Sequence, residues 1–170
     1  ENGALIRELF TRQGNGTLIS SDSFENLRDA TIEDVAGILK LIRPLEENGS
    51  LVERSRELLE TEIENFKIVE LEDSVIACAA LYPIGKDFAE IACIAIDNDF
   101  QKNGYGDRLL NSLESKAKAG GIKKIFVLTT AASHWFLGKG FLDAQLSDLP
   151  ETRQELYNYQ RKSKVLLKRL

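Results

Sequence analysis

The stretch AEIACIAIDNDFQKNGYGDRLLNSLESKAKAGGIKKIFVLTT, residues 89–130, decides the fold of this chain. It begins with an apolar run typical of a buried strand, passes through a glycine-containing loop, and continues as a helical pattern of leucines that closes at a glycine pair. A second buried, β-rich run completes it. We therefore predict a βαβ unit with parallel strands at 89–97 and 122–130.

Two helices and a hairpin are predicted on the N-terminal side of this unit. Apolar residues recur at helical spacing over 31–43, with Pro44 just after the predicted end, and Ser55 is placed to cap a second helix. The β-rich runs FKIVELE and SVIACAALY meet at Glu72 and Asp73, which predicts an antiparallel hairpin.

The C-terminal side is predicted to hold a short aromatic helix, a second short helix and a last strand. Ser133 is placed to cap the first helix, over 133–139, and Pro150 marks the start of the second. The run YNYQRKSKVLL at 157–167 alternates as a strand does. Together these elements predict a lead-in segment over 1–23 and one domain over 24–170.

Composition and charge exclude several classes of function. The 170 residues, 43% hydrophobic and 29% charged, suit one globular core, and the chain has no apolar run or N-terminal signal that would predict a membrane span or secretion. We therefore expect a soluble, cytoplasmic protein. Cys78 and Cys93 lie in apolar runs and His134 is the single histidine, so neither a disulfide framework nor a metal site is predicted.

The net charge of −5 disfavours nucleic acid as a partner, but the charge is unevenly distributed. Residues 161–170 hold five basic residues and no acid, so the 160 residues before them carry 17 basic against 27 acidic residues, a net of −10. This distribution indicates that an anion binds near the C-terminus.

The loop Gln101-Lys102-Asn103-Gly104-Tyr105-Gly106 joins the first strand of the βαβ unit to its helix. Glycines let main-chain N–H groups approach an anion, and the positive end of the helix dipole favours a diphosphate there. The dinucleotide fingerprint GxGxxG is not met, because Leu109 stands at its third glycine. A plain turn is the alternative on this motif alone.

The pattern QxxGxG between such a strand and helix is similar to the signature of the GCN5-related N-acetyltransferases (GNAT). The resemblance implies an α/β (α+β) fold: a mixed, mostly antiparallel sheet, splayed at its central parallel pair and flanked by helices. It also implies that acetyl-coenzyme A is the co-substrate. Its contacts would come from nine residues of the strand end and the loop: Ile94, Ala95, Ile96, Gln101, Lys102, Asn103, Gly104, Tyr105 and Gly106.

Within that superfamily, six blocks of the chain resemble the acetyltransferase domain of the bacterial N-acetylglutamate synthases: LVERSRE, ACAALYP, EIACIAI, FVLTT, HWF and LYNYQRKSKVL. The resemblance implies transfer of acetyl to the α-amine of L-glutamate, the first step of arginine biosynthesis. In the long form of those enzymes an amino-acid-kinase-like domain precedes this one. ELFTRQGNGT at 8–17 is similar to the end of that domain, so we expect a piece of a longer protein.

Glu90 is a lone acid in the apolar strand at 89–97. A carboxylate that loses hydration there holds a proton more readily, which suits a general base. An α-ammonium group must lose a proton before its nitrogen attacks a thioester, and a carboxylate acting directly or through a water can accept it. From the residues alone, a strand-end acid that faces solvent or a basic partner is the alternative; the resemblance implies the base.

Arg161 and Ser163 fall on one side of the predicted last strand. A guanidinium binds a carboxylate through two parallel hydrogen bonds, and a structural ion pair is the alternative. The resemblance implies that both residues bind glutamate, together with an arginine of the RSRE block, Arg54 in preference to Arg56. Substrate contacts are also implied for two residues that flank the predicted splay, Cys93 and Leu128.

The general acid that would protonate the thiolate is not evident. Many members of the superfamily place a tyrosine about five residues before a Gly-Phe pair, where this chain has Phe136. Ser133 and His134 are weak candidates for a catalytic role, as is Thr129, and His134 is equally explained as a structural residue.

We therefore predict an N-acetyltransferase that binds two small molecules, acetyl-coenzyme A and L-glutamate, with no metal, nucleic acid or membrane, and we leave a homo-oligomer open. Two alternatives remain. The same fold could acetylate a different amine, such as a peptide N-terminus or a polyamine, or the chain could be a non-catalytic coenzyme-A-binding regulatory domain.

Overall fold

The computed structural model describes residues 25–158 and 161–170, which form one seven-stranded mixed sheet flanked by helices. The strand order is β1-β2-β3-β4-β5-β7-β6, and every neighbouring pair is antiparallel except β4 and β5. The strands are β1 Glu25–Asp29, β2 Phe66–Leu71, β3 Ser74–Ile84, β4 Phe88–Ile96, β5 Lys124–Thr129, β6 Leu142–Asp143 and β7 Lys164–Arg169. The helices are α1 Val35–Glu47, α2 Arg56–Glu62, α3 Tyr105–Ala119, α4 Ser133–Leu137 and α5 Glu151–Gln154. The predicted lead-in segment over 1–23 lies outside the described residues.

The predicted hairpin and βαβ unit are both confirmed. β2 and β3 pair antiparallel around Glu72 and Asp73, which both take positive φ, 47° and 66°. These are the left-handed conformations of a tight two-residue hairpin turn. β4, α3 and β5 follow in order, and β4 pairs with β5 in parallel.

The parallel pair is joined over only part of its length. The register runs from Phe88 opposite Lys124 to Ile91 opposite Val127, although β4 continues to Ile96. The pairing of β4 with β3 is also irregular here, and Cys93 takes a φ of 58°. The two central strands therefore separate beyond Ile91, which confirms the predicted splay.

Each face of the sheet is covered by its own apolar cluster. On one face α3 packs Leu109, Leu110 and Leu113 against the sheet. On the other face α1 packs Ile38 and Ile42, both fully buried. α1 and α3 therefore enclose the splayed strands. The edge of β4 that is not paired with β5, beyond Ile91, lies between the two packed apolar clusters.

The first helix does not end before Pro44, as predicted, but continues to Glu47. Pro44 is exposed, so the main-chain carbonyl that loses its partner can bond to water. The added turn is held by Glu46, whose carboxylate accepts from Arg43 Nη1 at 2.8 Å and from the Arg54 main-chain N–H at 2.9 Å. These two bonds outweigh the local preference of proline.

The last strand is shorter than the predicted 157–167. Lys162 takes a φ of 53° in a turn, so β7 begins at Lys164 and Arg161 does not lie on a strand face. The Tyr157 hydroxyl donates to the Ser163 main-chain carbonyl at 2.7 Å and holds this turn against the segment before it. Tyr159 and Gln160, also predicted in the strand, lie outside the described residues.

The aromatic helix after β5 begins at Ser133, as predicted, but Ser133 does not cap it. Ala132 is the N-cap residue. Thr129 Oγ1 instead accepts from the main-chain N–H groups of Ala131 and Ala132, at 3.3 and 3.0 Å. The hydroxyl that fixes this turn thus comes from the end of β5.

Candidate active site

The loop before α3 has the geometry of an anion cradle. Gly104 is the N-cap of the 15-residue helix α3 and takes a φ of 83°, and Lys102 also takes a positive φ, 69°. Gly106 is required for a different reason, since a Cβ atom there would lie 3.1 Å from the Trp135 ring and 3.2 Å from Ile96 Cδ1. The first turn of α3 is therefore packed closely against Trp135 and Ile96. The main-chain N–H groups at such a helix start are the groups that bind a diphosphate.

The splay opens the main chain of β4 beside this cradle. Ile94 and Ile96 pack on the α3 side of the sheet, whereas Cys93 and Ala95 pack on the α1 side. Because the register with β5 stops at Ile91, the β5-facing edge of residues 92–96 is available to a ligand. An extended chain with amide groups, such as pantetheine, can pair with such an edge.

Arg54 lies on the α1 side of the splay. Burial alone would lower the pKa of the Arg54 guanidinium, but the neighbouring Cys93, Tyr82 and Glu62 raise it above its ordinary value. Arg56 differs, because its side chain is 55% exposed and pairs with Glu60, at 3.4 Å, along the surface of α2. Of the two arginines in the RSRE block, Arg54 is thus the one that reaches the splay.

The two cysteines are buried and adjacent. The Cys78 thiol donates to the Cys93 main-chain carbonyl at 3.4 Å. Its hydrogen bonding with Cys93, together with burial, raises the pKa of the Cys78 thiol well above its usual value. A neutral thiol in this position is a packing group and not a nucleophile.

Arg161 and Ser163 meet although they do not lie on a common strand face. Arg161 Nη1 is 3.4 Å from Ser163 Oγ, and Arg161 Nη2 donates to the main-chain carbonyls of Gly49 and Ser50 at 3.4 and 3.1 Å. Ser163 is buried, and Leu128 pairs with Val165, the second residue of β7. A cavity of about 460 Å³ adjoins Ser163.

Glu90 has a basic partner, the alternative considered from the sequence. Arg153 of α5 donates from Nε to Glu90 Oε1 at 2.7 Å and from Nη2 to Oε2 at 3.2 Å. Both side chains are mostly buried, with 20% of Arg153 and 13% of Glu90 exposed. Sequence reasoning missed Arg153, because a separation of 63 positions along the chain leaves no local signal.

The candidates for proton donation lie at the far end of β5. Ser133 and His134 open α4, where His134 is exposed, while Phe136 is buried against Phe141. α4 is close to the cradle, since Trp135 packs beside Gly106. The cradle, the splay and the start of α4 thus share one end of the parallel strand pair.

Within residues 25–158 and 161–170, no group of three His, Cys, Asp or Glu side chains is placed to hold a metal ion. In the same residues, none of the helices combines the length and the apolar character that a membrane span needs.

Known proteins similar to this chain include two amino-acid acetyltransferases. The enzyme of Ectopseudomonas mendocina (strain ymp) is 56% identical over 170 residues, which cover 99% of this chain and 39% of that protein. The enzyme of Azotobacter vinelandii (strain DJ / ATCC BAA-1303) is 56% identical over 171 residues, which cover 100% of this chain and 40% of that protein. The chain therefore spans about two fifths of the length of these relatives.

A solved structure shares the fold over nearly the whole chain. N-acetylglutamate synthase from Neisseria gonorrhoeae, complexed with coenzyme A and N-acetyl-glutamate, superposes with a TM-score of 0.84 at 44% sequence identity. The match covers 99% of this chain and 40% of that one.

The family model of the acetyltransferase (GNAT) family matches residues 33–137, which run from just before α1 to the end of α4. This range contains the cradle, the splay and the parallel strand pair. The chain belongs to the GNAT acetyltransferase family.

Proposed function

We propose that this chain transfers acetyl from acetyl-coenzyme A to the α-amine of L-glutamate, as an amino-acid N-acetyltransferase. The observation that carries the proposal is a pair of arginines, distant in sequence, that both donate to main-chain carbonyls of the loop between α1 and α2. Arg54 donates to the Val52 carbonyl at 3.2 Å, and Arg161 to the Ser50 carbonyl at 3.1 Å. Among the described residues, neither guanidinium has a carboxylate within ion-pair distance.

Two cations bonded to neutral carbonyls fit a dicarboxylate. A carboxylate that replaces a carbonyl oxygen converts a neutral hydrogen bond into a charge-assisted one, which is roughly twice as strong. Ser163 Oγ, beside Arg161, adds a neutral donor. The same charges repel a polyamine or a lysine side chain, so they favour glutamate over the other amines considered.

The neighbours that match this chain support the same substrates. The gonococcal synthase, 44% identical to this chain over the matched region, is complexed with coenzyme A and N-acetyl-glutamate. The cradle at Gly104 and Gly106 fits the diphosphate of coenzyme A, and the open edge of β4 fits pantetheine. Together they support a thioester position beyond Ile91, on the side of the sheet from which Glu90 and Cys93 project.

The reaction we propose is direct transfer. Glu90 accepts a proton from the α-ammonium group, the free amine attacks the thioester carbonyl, and the carbon–sulfur bond breaks to give N-acetylglutamate and coenzyme A. In this reaction no acyl-enzyme forms, and neither cysteine serves as a nucleophile. Ser133 and His134 remain candidates to protonate the thiolate. The two buried free thiols suit a reducing compartment, and we place the protein in the cytoplasm.

The test is steady-state release of coenzyme A from acetyl-coenzyme A, with L-glutamate, glutamine, aspartate, lysine and spermidine at equal concentrations. We expect selective release with glutamate. Arg161→Ala should raise the glutamate KM by roughly tenfold or more and leave the acetyl-coenzyme A KM within about twofold, because only one substrate loses a charge-assisted bond. Arg169→Ala, on the exposed end of β7, is the matched control.

Three outcomes would count against the proposal. Release with another amine at equal or higher efficiency would assign the fold to that amine. Binding of acetyl-coenzyme A without release in the presence of any amine would favour the regulatory domain. An unchanged glutamate KM in Arg161→Ala would remove the carboxylate site.

A further inference from the structure

The Glu90–Arg153 ion pair joins the middle of the sheet to the short helix α5. The position of α5 is fixed by the segment that precedes it. Leu149 is buried against Phe126 in the apolar cluster on this face, and its carbonyl accepts from Gln154 Nε2 at 2.7 Å. Arg153 is therefore presented to the sheet from a packed support and not from a free loop.

Other groups around Glu90 do not provide a second cation. The residue directly opposite on β3 is Tyr82, whose hydroxyl donates to Glu62 Oε1 at 2.9 Å. The residue directly opposite on β5 is Phe126, which carries no charge. Of the cations in the described residues, only Arg153 lies within ion-pair distance of the Glu90 carboxylate.

The bond pattern leaves the carboxylate able to act. The guanidinium takes one lone pair on each oxygen, one from Nε and one from Nη2. Each carboxylate oxygen has a second lone pair, so either can still accept a proton. A bidentate pair also fixes the plane of the carboxylate, which a single contact cannot do.

We infer that Arg153 is a positioning residue whose two hydrogen bonds fix the plane of the Glu90 carboxylate and aim its free lone pairs at the substrate ammonium group. The inference rests on the proposed function, in which Glu90 is the base. In this step the ammonium N–H bond breaks and an O–H bond forms on Glu90, while the guanidinium keeps all its protons. Without Arg153 the carboxylate loses both hydrogen bonds that fix its plane, and its free lone pairs are no longer held toward the ammonium group.

The test is a double-mutant cycle of Arg153→Met, which keeps the length of the side chain and removes its charge, with Glu90→Gln. Arg153→Met should lower kcat with glutamate by roughly tenfold or more, a fraction of what a general base contributes, and leave the acetyl-coenzyme A KM within about twofold. Arg153→Lys, which keeps the charge but cannot form the planar two-point contact, should restore only part of the loss. In the Glu90→Gln background, Arg153→Met should cost no more than about twofold, because the group through which it acts is gone.

Arg169→Met, which removes an exposed arginine from β7, is the control for net charge. Losses that multiply in the double variant would overturn the inference even if glutamate is the substrate. If the wild-type chain releases no coenzyme A, the proposed function fails by itself. The inference is then decided by crystal structures of the wild type and Arg153→Met: a Glu90 carboxylate in the same rotamer and plane in both overturns it, and a rotated carboxylate supports it.

Discussion

Helix α3 lies between two glycines of the same backbone geometry, and this symmetry allows a controlled test of the anion cradle. Gly104, before the helix, and Gly121, after it, both have a φ of 83°, and a Cβ atom added at either would meet nothing within 4 Å. Alanine at either position is therefore disfavoured by the backbone alone and not by a clash. Only Gly104 belongs to the cradle.

The size of the effect follows from the backbone. An L-residue in the left-handed region costs about 1–2 kcal/mol, and alanine recovers about 0.4–1 kcal/mol by restricting the unfolded chain. The net loss for each variant is about 1 kcal/mol. For Gly121→Ala all of it should fall on folding, which lowers Tm by about 2–4 °C for a chain of this size. For Gly104→Ala the loop can relax in the free protein, so part of the loss moves to coenzyme A binding.

Thermal unfolding and isothermal titration with coenzyme A measure the two parts separately. The free energy lost on folding and that lost on binding should together come to about 1 kcal/mol for Gly104→Ala, and a loss wholly on binding weakens Kd by roughly fivefold. Gly121→Ala should bind coenzyme A as the wild type does. The reasoning is refuted if Gly104→Ala changes neither quantity, or if Gly121→Ala weakens binding as much as Gly104→Ala.

Three further predictions concern stability, each measured by chemical denaturation. Asp34→Asn should lower the free energy of unfolding by about 2 kcal/mol at pH 7, because the Asp34 carboxylate accepts from Arg28 at 2.8 and 2.9 Å. These hydrogen bonds hold the pKa of Asp34 below its usual value, so the difference between the variant and the wild type should shrink as the pH falls below about 4. Gly37→Ala should cost about 1–2 kcal/mol despite its better helix propensity, because the new Cβ would lie 2.7 Å from Val75 Cγ2; a stabilised variant would contradict this. Ser55→Ala should cost about 1 kcal/mol by removing the cap of α2, and Ser55→Asp, which can cap, should not.

The elements that the sequence predicts best are those whose signal is local. The hairpin turn at Glu72 and Asp73, the cap at Ser55 and the helix after the glycine loop each depend on a few adjacent residues. α1 extends past Pro44 for the opposite reason, because the bonds that hold its last turn come partly from Arg54, which no local pattern includes.

Two strands were missed because nothing near them in the sequence marks them. β1, Glu25–Asp29, carries mostly polar residues and is held by pairing with β2 and by the Arg28 side chain, which bonds to Asp34 and Glu70. β6 is only two residues long, with Leu142 exposed, and exists because β7 offers it an edge. Propensity cannot reveal strands whose stability comes from distant partners.

The irregularity in β4 explains why the geometry of the site could not be derived from alternation. Ala89 and Ile91 face α3, but after Cys93 the pattern changes phase, and Ile94 and Ile96 face α3 instead. A strict period of two would put Glu90 on the same face as Ile94 and Ile96. The positive φ of Cys93 makes the change, and such a conformation in a non-glycine residue persists only where its surroundings hold it.

Those surroundings connect the irregularity to the chemistry. The Cys78 thiol bonds to the Cys93 carbonyl, and Arg54 lies against the same cysteine. Before the change of phase, Glu90 faces the α1 side of the sheet, as do Arg153, Arg54 and Arg161. After it, Ile94 and Ile96 face α3, the helix that carries the cradle. The proposed base thus projects from one face of β4, Ile94 and Ile96 project from the other face, and both lie close to the point where β4 and β5 separate. The run EIACIAI has the same pattern of apolar residues whether or not this change of phase is present. The sequence therefore predicts the strand, and only the folded structure shows on which face each residue lies.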